Sequence, residues 1–139
     1  MSRTRVETRA RARVLQALYA WDVRGEQELD RVATQLWDDL SVPPEERRLA
    51  GFLVRTLLQH GRELDSELAE VTTNWRLDRL GVVDRCVLRL GAAELHRGET
   101  PPRVVIQEAV LLAERYGTLK SAKFVNGVLD ALARRMGRM

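Results

Sequence analysis

RVVIQEAVLLAERYGTLKSAKFVNGVLDAL, residues 103–132, consists of two amphipathic runs on either side of a Tyr116-Gly117-Thr118 break. In the first run Val105, Ala109, Leu112 and Tyr116 share one helical face, flanked by Ile106, Val110 and Ala113. In the second, Phe124, Val128 and Leu132 form one row and Val125 and Leu129 the next. Apolar spacings of three and four residues, sustained through both runs, specify helices packed into a core. Gly117 stands where a left-handed C-cap would end the first helix, and Thr118 is placed to cap the second. The stretch therefore predicts a helical hairpin against which the rest of the chain must pack.

Working outward, Val82 to Arg97 is apolar on more than one side, with Val83, Val87 and Leu90 on one row and Leu88, Ala92 and Leu95 on another. A helix of that kind is central. Cys86 within it reads as a small buried hydrophobe, since no base lies near it in sequence. Glu94 reads as a buried or half-buried carboxylate satisfied by an arginine or a helix end. Thr100-Pro101-Pro102 starts the following helix. Upstream, Pro44 with Glu45 and Glu46 opens a long helix carrying Leu49, Phe52, Leu53, Leu57, Leu64 and Leu68. Gly61 marks a kink or a close approach within it. Leu29 to Leu40 forms a shorter helix with Trp37 packing on its flank. Thr4 and Glu7 have capping-box spacing, so the first helix is predicted from about Thr4 to Arg24.

No stretch alternates like a strand, so the expectation is an all-α protein of about seven helices in two three-helix subdomains packed together. The 139 residues form one domain with halves at about 1–75 and 76–139. A single cysteine excludes a disulfide framework and a cysteine zinc cluster, and His60 has no partner at metal-ligand spacing. No catalytic constellation, metal or cofactor is predicted. The lack of an apolar segment of spanning length, together with the lone cysteine, points to a cytoplasmic protein with no membrane partner.

Charge is unevenly placed. Residues 1–13 hold Arg3, Arg5, Arg9, Arg11 and Arg13 against Glu7, which leaves the remainder of a +3 chain about neutral. In the first helix Val6, Ala10, Val14, Ala17, Leu18 and Trp21 gather on one side and Arg5, Arg9 and Arg13 on the other. Like charges four residues apart repel by a few tenths of a kcal/mol, about 0.2–0.5. A stripe of them without interleaved acids calls for an external counter-charge, and a polyanion such as nucleic acid fits. An ordinary solvated face is the alternative.

The segments TRARARVLQALYAWD, NWRLDRLGVVDRCVLRLGAAEL, VVIQEAVLLAERYG and KFVNGVLDAL, in this order, resemble the NusB family of bacterial transcription antitermination factors. The resemblance covers nearly the whole chain, and KFVNGVLD and VLRLGAAEL are its most specific parts. It implies two three-helix subdomains plus a further helix. It also implies binding of boxA-type leader RNA together with ribosomal protein NusE, within an RNA polymerase antitermination complex that reads through terminators in ribosomal RNA operons. Carried over by position, Arg5, Arg9, Arg11 and Arg13 would meet phosphates, and Lys120, Ser121, Lys123 and Phe124 would add charge, a hydroxyl and a stacking ring. Phe124 is equally placed for the core row with Val128 and Leu132. NusE is expected around Trp75 to Arg89, with Asp84 as a polar contact. Glu7 stands where the family commonly has a basic residue, and Gln107 where it usually has asparagine. Asn126-Gly127, unfavourable inside a helix by about 1 kcal/mol for the glycine, points to close helix approach or a backbone contact. Two other readings stay open. One is a protein adaptor or homodimer with the basic helix merely solvated. The other is the RNA-binding domain of a ribosomal RNA cytosine methyltransferase, detached from its cofactor domain.

Overall fold

The computed structural model describes residues 5–25, 27–72 and 79–139. Among these lie six α-helices and no strand: α1 Arg5–Arg24, α2 Leu29–Asp39, α3 Pro44–Val71, α4 Val82–Arg97, α5 Pro102–Tyr116 and α6 Ser121–Arg135. The all-α class stands, with six helices among the described residues where the sequence predicts about seven. Thr4 and the Trp75 end of the expected NusE region lie outside the described residues. The chain divides into two compact units, Met1–Gln59 and His60–Met139. The division falls inside α3, whereas the sequence pattern places it near residue 75. A helix whose apolar pattern runs unbroken from Leu49 to Leu68 gives no local sign of where one unit yields to the next.

In the first unit α1 pairs with α2. Their buried faces are built from Ala10, Val14, Ala17 and Leu18 on α1 and from Leu29, Val32, Ala33 and Trp37 on α2. Trp37 is a core residue, and its indole Nε1 donates to the Arg13 carbonyl at 3.2 Å. That bond satisfies the one polar atom of a large buried ring. Leu40 is exposed, because α2 ends at Asp39 and the chain turns at Ser41, whose φ is +52°. Arg47 holds this corner. It donates to the carbonyls of Val42 at 2.9 Å and Trp37 at 2.8 Å, and pairs with Asp38 at 2.7 Å. One cation thereby joins the Trp37 carbonyl of α2, which also accepts from the Val42 amide at 2.9 Å, to the carbonyl of Val42 beyond the helix end. Phe52, expected inward, is 40% exposed.

In the second unit α4 contacts both α5 and α6, and those two pair with each other. α4 is the central helix foreseen from its two-sided pattern, with Cys86, Val87, Leu88, Leu90 and Leu95 at 2% exposure or less. Gly91 gives the Leu129 side chain of α6 room against α4: a Cβ there would stand 2.6 Å from Cδ1 of Leu129, itself fully buried. Glu94 is buried as expected and engaged within the fold. Arg89 ties α4 to the second half of α3 through two 3.1 Å bonds to the Asp65 carboxylate. Each of the buried aliphatic side chains in α6, Val125, Val128, Leu129 and Leu132, contributes roughly 1.5–3 kcal/mol by leaving water. His60 rests against His96 with ring centroids 4.5 Å apart. Among the described residues no group of three or more His, Cys, Asp or Glu is placed to hold a metal ion.

Two expectations about glycines are corrected. Gly117 is not left-handed: its φ is −98° and ψ −159°, an extended conformation. It is glycine for space, since a Cβ would lie 2.5 Å from Ser121 Oγ and 2.8 Å from the Ala113 carbonyl. Gly127 does not mark a close approach, because nothing lies within 4 Å of where its Cβ would be, and the same holds for Gly61.

Candidate nucleic-acid interface

The arginines of α1 divide by helical position. Arg5 and Arg9 are exposed, the Arg9 side chain at 58%. Arg13, one turn further, retains 26%. Arg11 is different: it is 1% exposed and engaged within the fold. It precedes Val14 by three positions and Leu18 by seven, so it shares their inward row, where a guanidinium persists only when paired. In this structure Arg11 is therefore a structural cation of the first unit, contrary to its expected place among the phosphate contacts.

The missing acid of the basic stripe comes from α3. Glu46, in the first turn of that helix and 3% exposed, accepts a 3.1 Å hydrogen bond from Arg13 Nε, and its other oxygen lies 3.9 Å from an Arg9 Nη. Arg13 also approaches Gln16 at 3.4 Å. One carboxylate between two cations leaves the pair with net positive charge, so α1 still presents a basic face. No pattern within α1 could have revealed Glu46, which lies 33 residues from Arg13 in the chain.

In the second unit the turn between α5 and α6 gathers the other expected residues. Lys120 and Lys123 are exposed, and Phe124 is half-buried at the margin of the core row rather than within it. Ser121 is fully buried. Its Oγ accepts from the Thr118 amide at 2.9 Å and pairs with the Thr118 hydroxyl at 3.2 Å. The serine hydroxyl therefore builds the turn and is not displayed to a ligand, which corrects the expectation. Ser121→Ala is expected to lower stability by about 1 kcal/mol, the usual result of leaving one amide without its acceptor. Chemical denaturation of the variant beside the parent protein measures it.

Sequence patterning missed two exposed groups at this turn. Tyr116, assigned to the core face, is 46% exposed at the last position of α5, with the Arg115 guanidinium 5.6 Å from its ring centroid. Leu119 is entirely exposed. The turn thus offers two lysines, an arginine and a ring in a short span, the side-chain types that meet RNA by phosphate pairing and base stacking. Asp84, in the first turn of α4, is partly exposed and sits where a carboxylate favours the helix N-terminus. Among the described residues no helix is long and apolar enough to cross a membrane.

Residues 8–134 match the NusB family. The chain is 50% identical over 129 residues to a transcription antitermination protein NusB of Anaeromyxobacter dehalogenans, covering 91% of this chain and 89% of that protein. It is 42% identical over 130 residues to the corresponding protein of Sorangium cellulosum, covering 93% and 92%. Among solved structures it is similar to T. maritima NusB, with a TM-score of 0.86, 34% identity and coverage of 92% and 90%. It is equally similar to a chain from the crystal structure of antitermination factors NusB and NusE in complex with dsRNA, with a TM-score of 0.86, 33% identity and coverage of 96% and 99%.

Proposed function

Because the chain belongs to the NusB family, we propose that it is a transcription antitermination factor that binds boxA-type leader RNA together with NusE and promotes read-through of ribosomal RNA operons by RNA polymerase. The observation that carries this reading is the face of α1, where Arg5 and Arg9 stand exposed and Arg13 stands beside them, in a chain similar to one solved with NusE and dsRNA. Exposed guanidinium groups on a rigid helix engage phosphates in bidentate fashion and release counterions as they do so. Lys120, Lys123 and Phe124, on the second unit, supply two further charges and a ring for stacking. Asp84 is the proposed polar contact to NusE. The activity is one of binding and assembly, with no catalytic step, in the cytoplasm.

The test is a titration of labelled boxA-type RNA with the protein, alone and with saturating NusE, with sedimentation run in parallel to fix the oligomeric state. NusE is expected to tighten RNA binding by about 10-fold, a coupling of about 1.4 kcal/mol between two ligands of one assembly. Identical affinities with and without NusE would contradict the joint role, and failure to bind RNA in either case would contradict the reading as a whole.

A further inference from the structure

Glu46 is an acid in a place that apolar packing does not require. It is 3% exposed, yet its two oxygens face two arginines of another helix, Arg13 at 3.1 Å and Arg9 at 3.9 Å. Its position in the first turn of α3 offsets part of the cost of burying it, since that helix end favours negative charge. Resting on the reading of α1 as an RNA interface, we propose that Glu46 is a positioning residue for that interface. From beneath, it holds Arg9 and Arg13 as an ordered pair, so that their free edges meet RNA phosphates without first having to be arranged.

Three features separate positioning from simple neutralisation. Arg9 and Arg13 lie four residues apart on one helix face, where two cations repel and would splay without an acid between them. A guanidinium carries five N–H donors, and Glu46 engages few of them. Arg13 gives its Nε to Glu46 and one Nη to Gln16, and among the described residues its other Nη has no partner. Arg9 touches Glu46 only at ion-pair range and keeps a 58% exposed side chain. A long side chain already held in one arrangement loses less freedom on binding than a mobile one. Against this, a carboxylate near the interface repels phosphate. The two effects have opposite signs, so removal of the charge decides between them: loss of positioning weakens RNA binding, and loss of repulsion strengthens it.

The experiment measures binding of boxA-type RNA by fluorescence anisotropy across a salt series, for the parent protein, Glu46→Gln, Arg13→Ala, the double variant, and Arg5→Glu with Arg9→Glu as reference. Glu46→Gln is expected to weaken binding about 5-fold, within the range for contacting residues. Its salt slope should be unchanged, because the same phosphates are engaged. On the Arg13→Ala background the same substitution should change affinity by less than about 2-fold, since the hydrogen-bonded partner at 3.1 Å is gone and only the 3.9 Å ion pair to Arg9 remains. Equal or tighter binding by Glu46→Gln overturns the proposal, as does an undiminished penalty on the Arg13→Ala background, which marks a general structural loss. Should Glu46→Gln not fold, Glu46→Asp tests positioning alone, because it keeps the charge but withdraws it from both arginines by one methylene: weaker binding supports the proposal, and equal or tighter binding overturns it. If the Arg5 and Arg9 reversal leaves affinity untouched, the reading of α1 fails and the proposal with it. If the reversal abolishes binding while Glu46→Gln does not weaken it, only the positioning role fails.

Discussion

Arg5→Glu combined with Arg9→Glu is expected to weaken boxA-type RNA binding by about 100-fold or more near physiological ionic strength, a loss of about 2.7 kcal/mol. Both side chains are exposed, so the change acts on the field and the donors that a phosphate backbone meets. Each reversal removes a counter-charge and adds a repulsion, and the electrostatic part of RNA binding depends on the number of phosphates neutralised. The melting temperature should stay within a few degrees of the parent, because surface substitutions of this kind usually shift stability by less than about 0.5 kcal/mol. Arg13 is left out of the variant for a structural reason. Its Nε is bonded to the buried Glu46 at 3.1 Å with only 26% of the side chain exposed, so a carboxylate in its place would be held against that acid, whereas Arg9 lies 3.9 Å from Glu46 with 58% of its side chain exposed and a glutamate there can turn into solvent. Arg13→Glu would lower stability as well as affinity, and its effect on RNA would not be separable from partial unfolding.

Gly91→Val is expected to destabilise the second unit strongly. A Cβ at that position falls 2.6 Å from one methyl and 2.9 Å from the other methyl of Leu129, so α4 and α6 must move apart or Leu129 must leave its rotamer. Leu129 is wholly buried and has little room to retreat. Overpacking of this kind costs about 3 kcal/mol at the upper end of the usual range, and the branched valine adds a second atom on the crowded side. For a unit of this size the melting temperature should fall on the order of 10 °C. Circular dichroism melts of Gly91→Val and Gly91→Ala measure the effect, with alanine intermediate. A melting temperature equal to the parent's would show that the contact between these helices is softer than the structure makes it. The substitution also tests the KFVNGVLD and VLRLGAAEL motifs from a physical side, since Gly91 and Leu129 each belong to one of them.

The helices were legible in the sequence because burial and helical periodicity are the same statement when a face is long. Val82–Arg97 and the hairpin after it show this, and so do the proline starts at Pro44 and Pro102. Positions that depend on a partner far along the chain, or on the end of an element, carry no such local signal. Arg11 joins Arg9 and Arg13 only through the family resemblance, whereas its three- and seven-residue spacing to Val14 and Leu18 places it inward. Tyr116 fits the apolar row of α5, yet it is the last residue of that helix and half of it stands in solvent. Ser121 enters the expected RNA contacts through the family resemblance, and its actual partner, the Thr118 amide, is a backbone group that no side-chain pattern announces. Glu46 was visible only as a helix-opening acid. Its meeting with Arg9 and Arg13 is a product of the fold, and it changes the α1 stripe from a set of uncompensated cations into an ordered pair with an exposed edge.

The central claim is that α1 presents these arginines to RNA, and the salt dependence of RNA affinity tests it most directly. For the parent protein the logarithm of the association constant should fall linearly with the logarithm of salt concentration, with a slope of about −0.7 for each phosphate engaged on a single strand. Arg5→Glu with Arg9→Glu should flatten that slope by at least about 1.4, corresponding to two phosphates released. Parallel lines of equal affinity for the two proteins would contradict the claim and remove α1 from the RNA path.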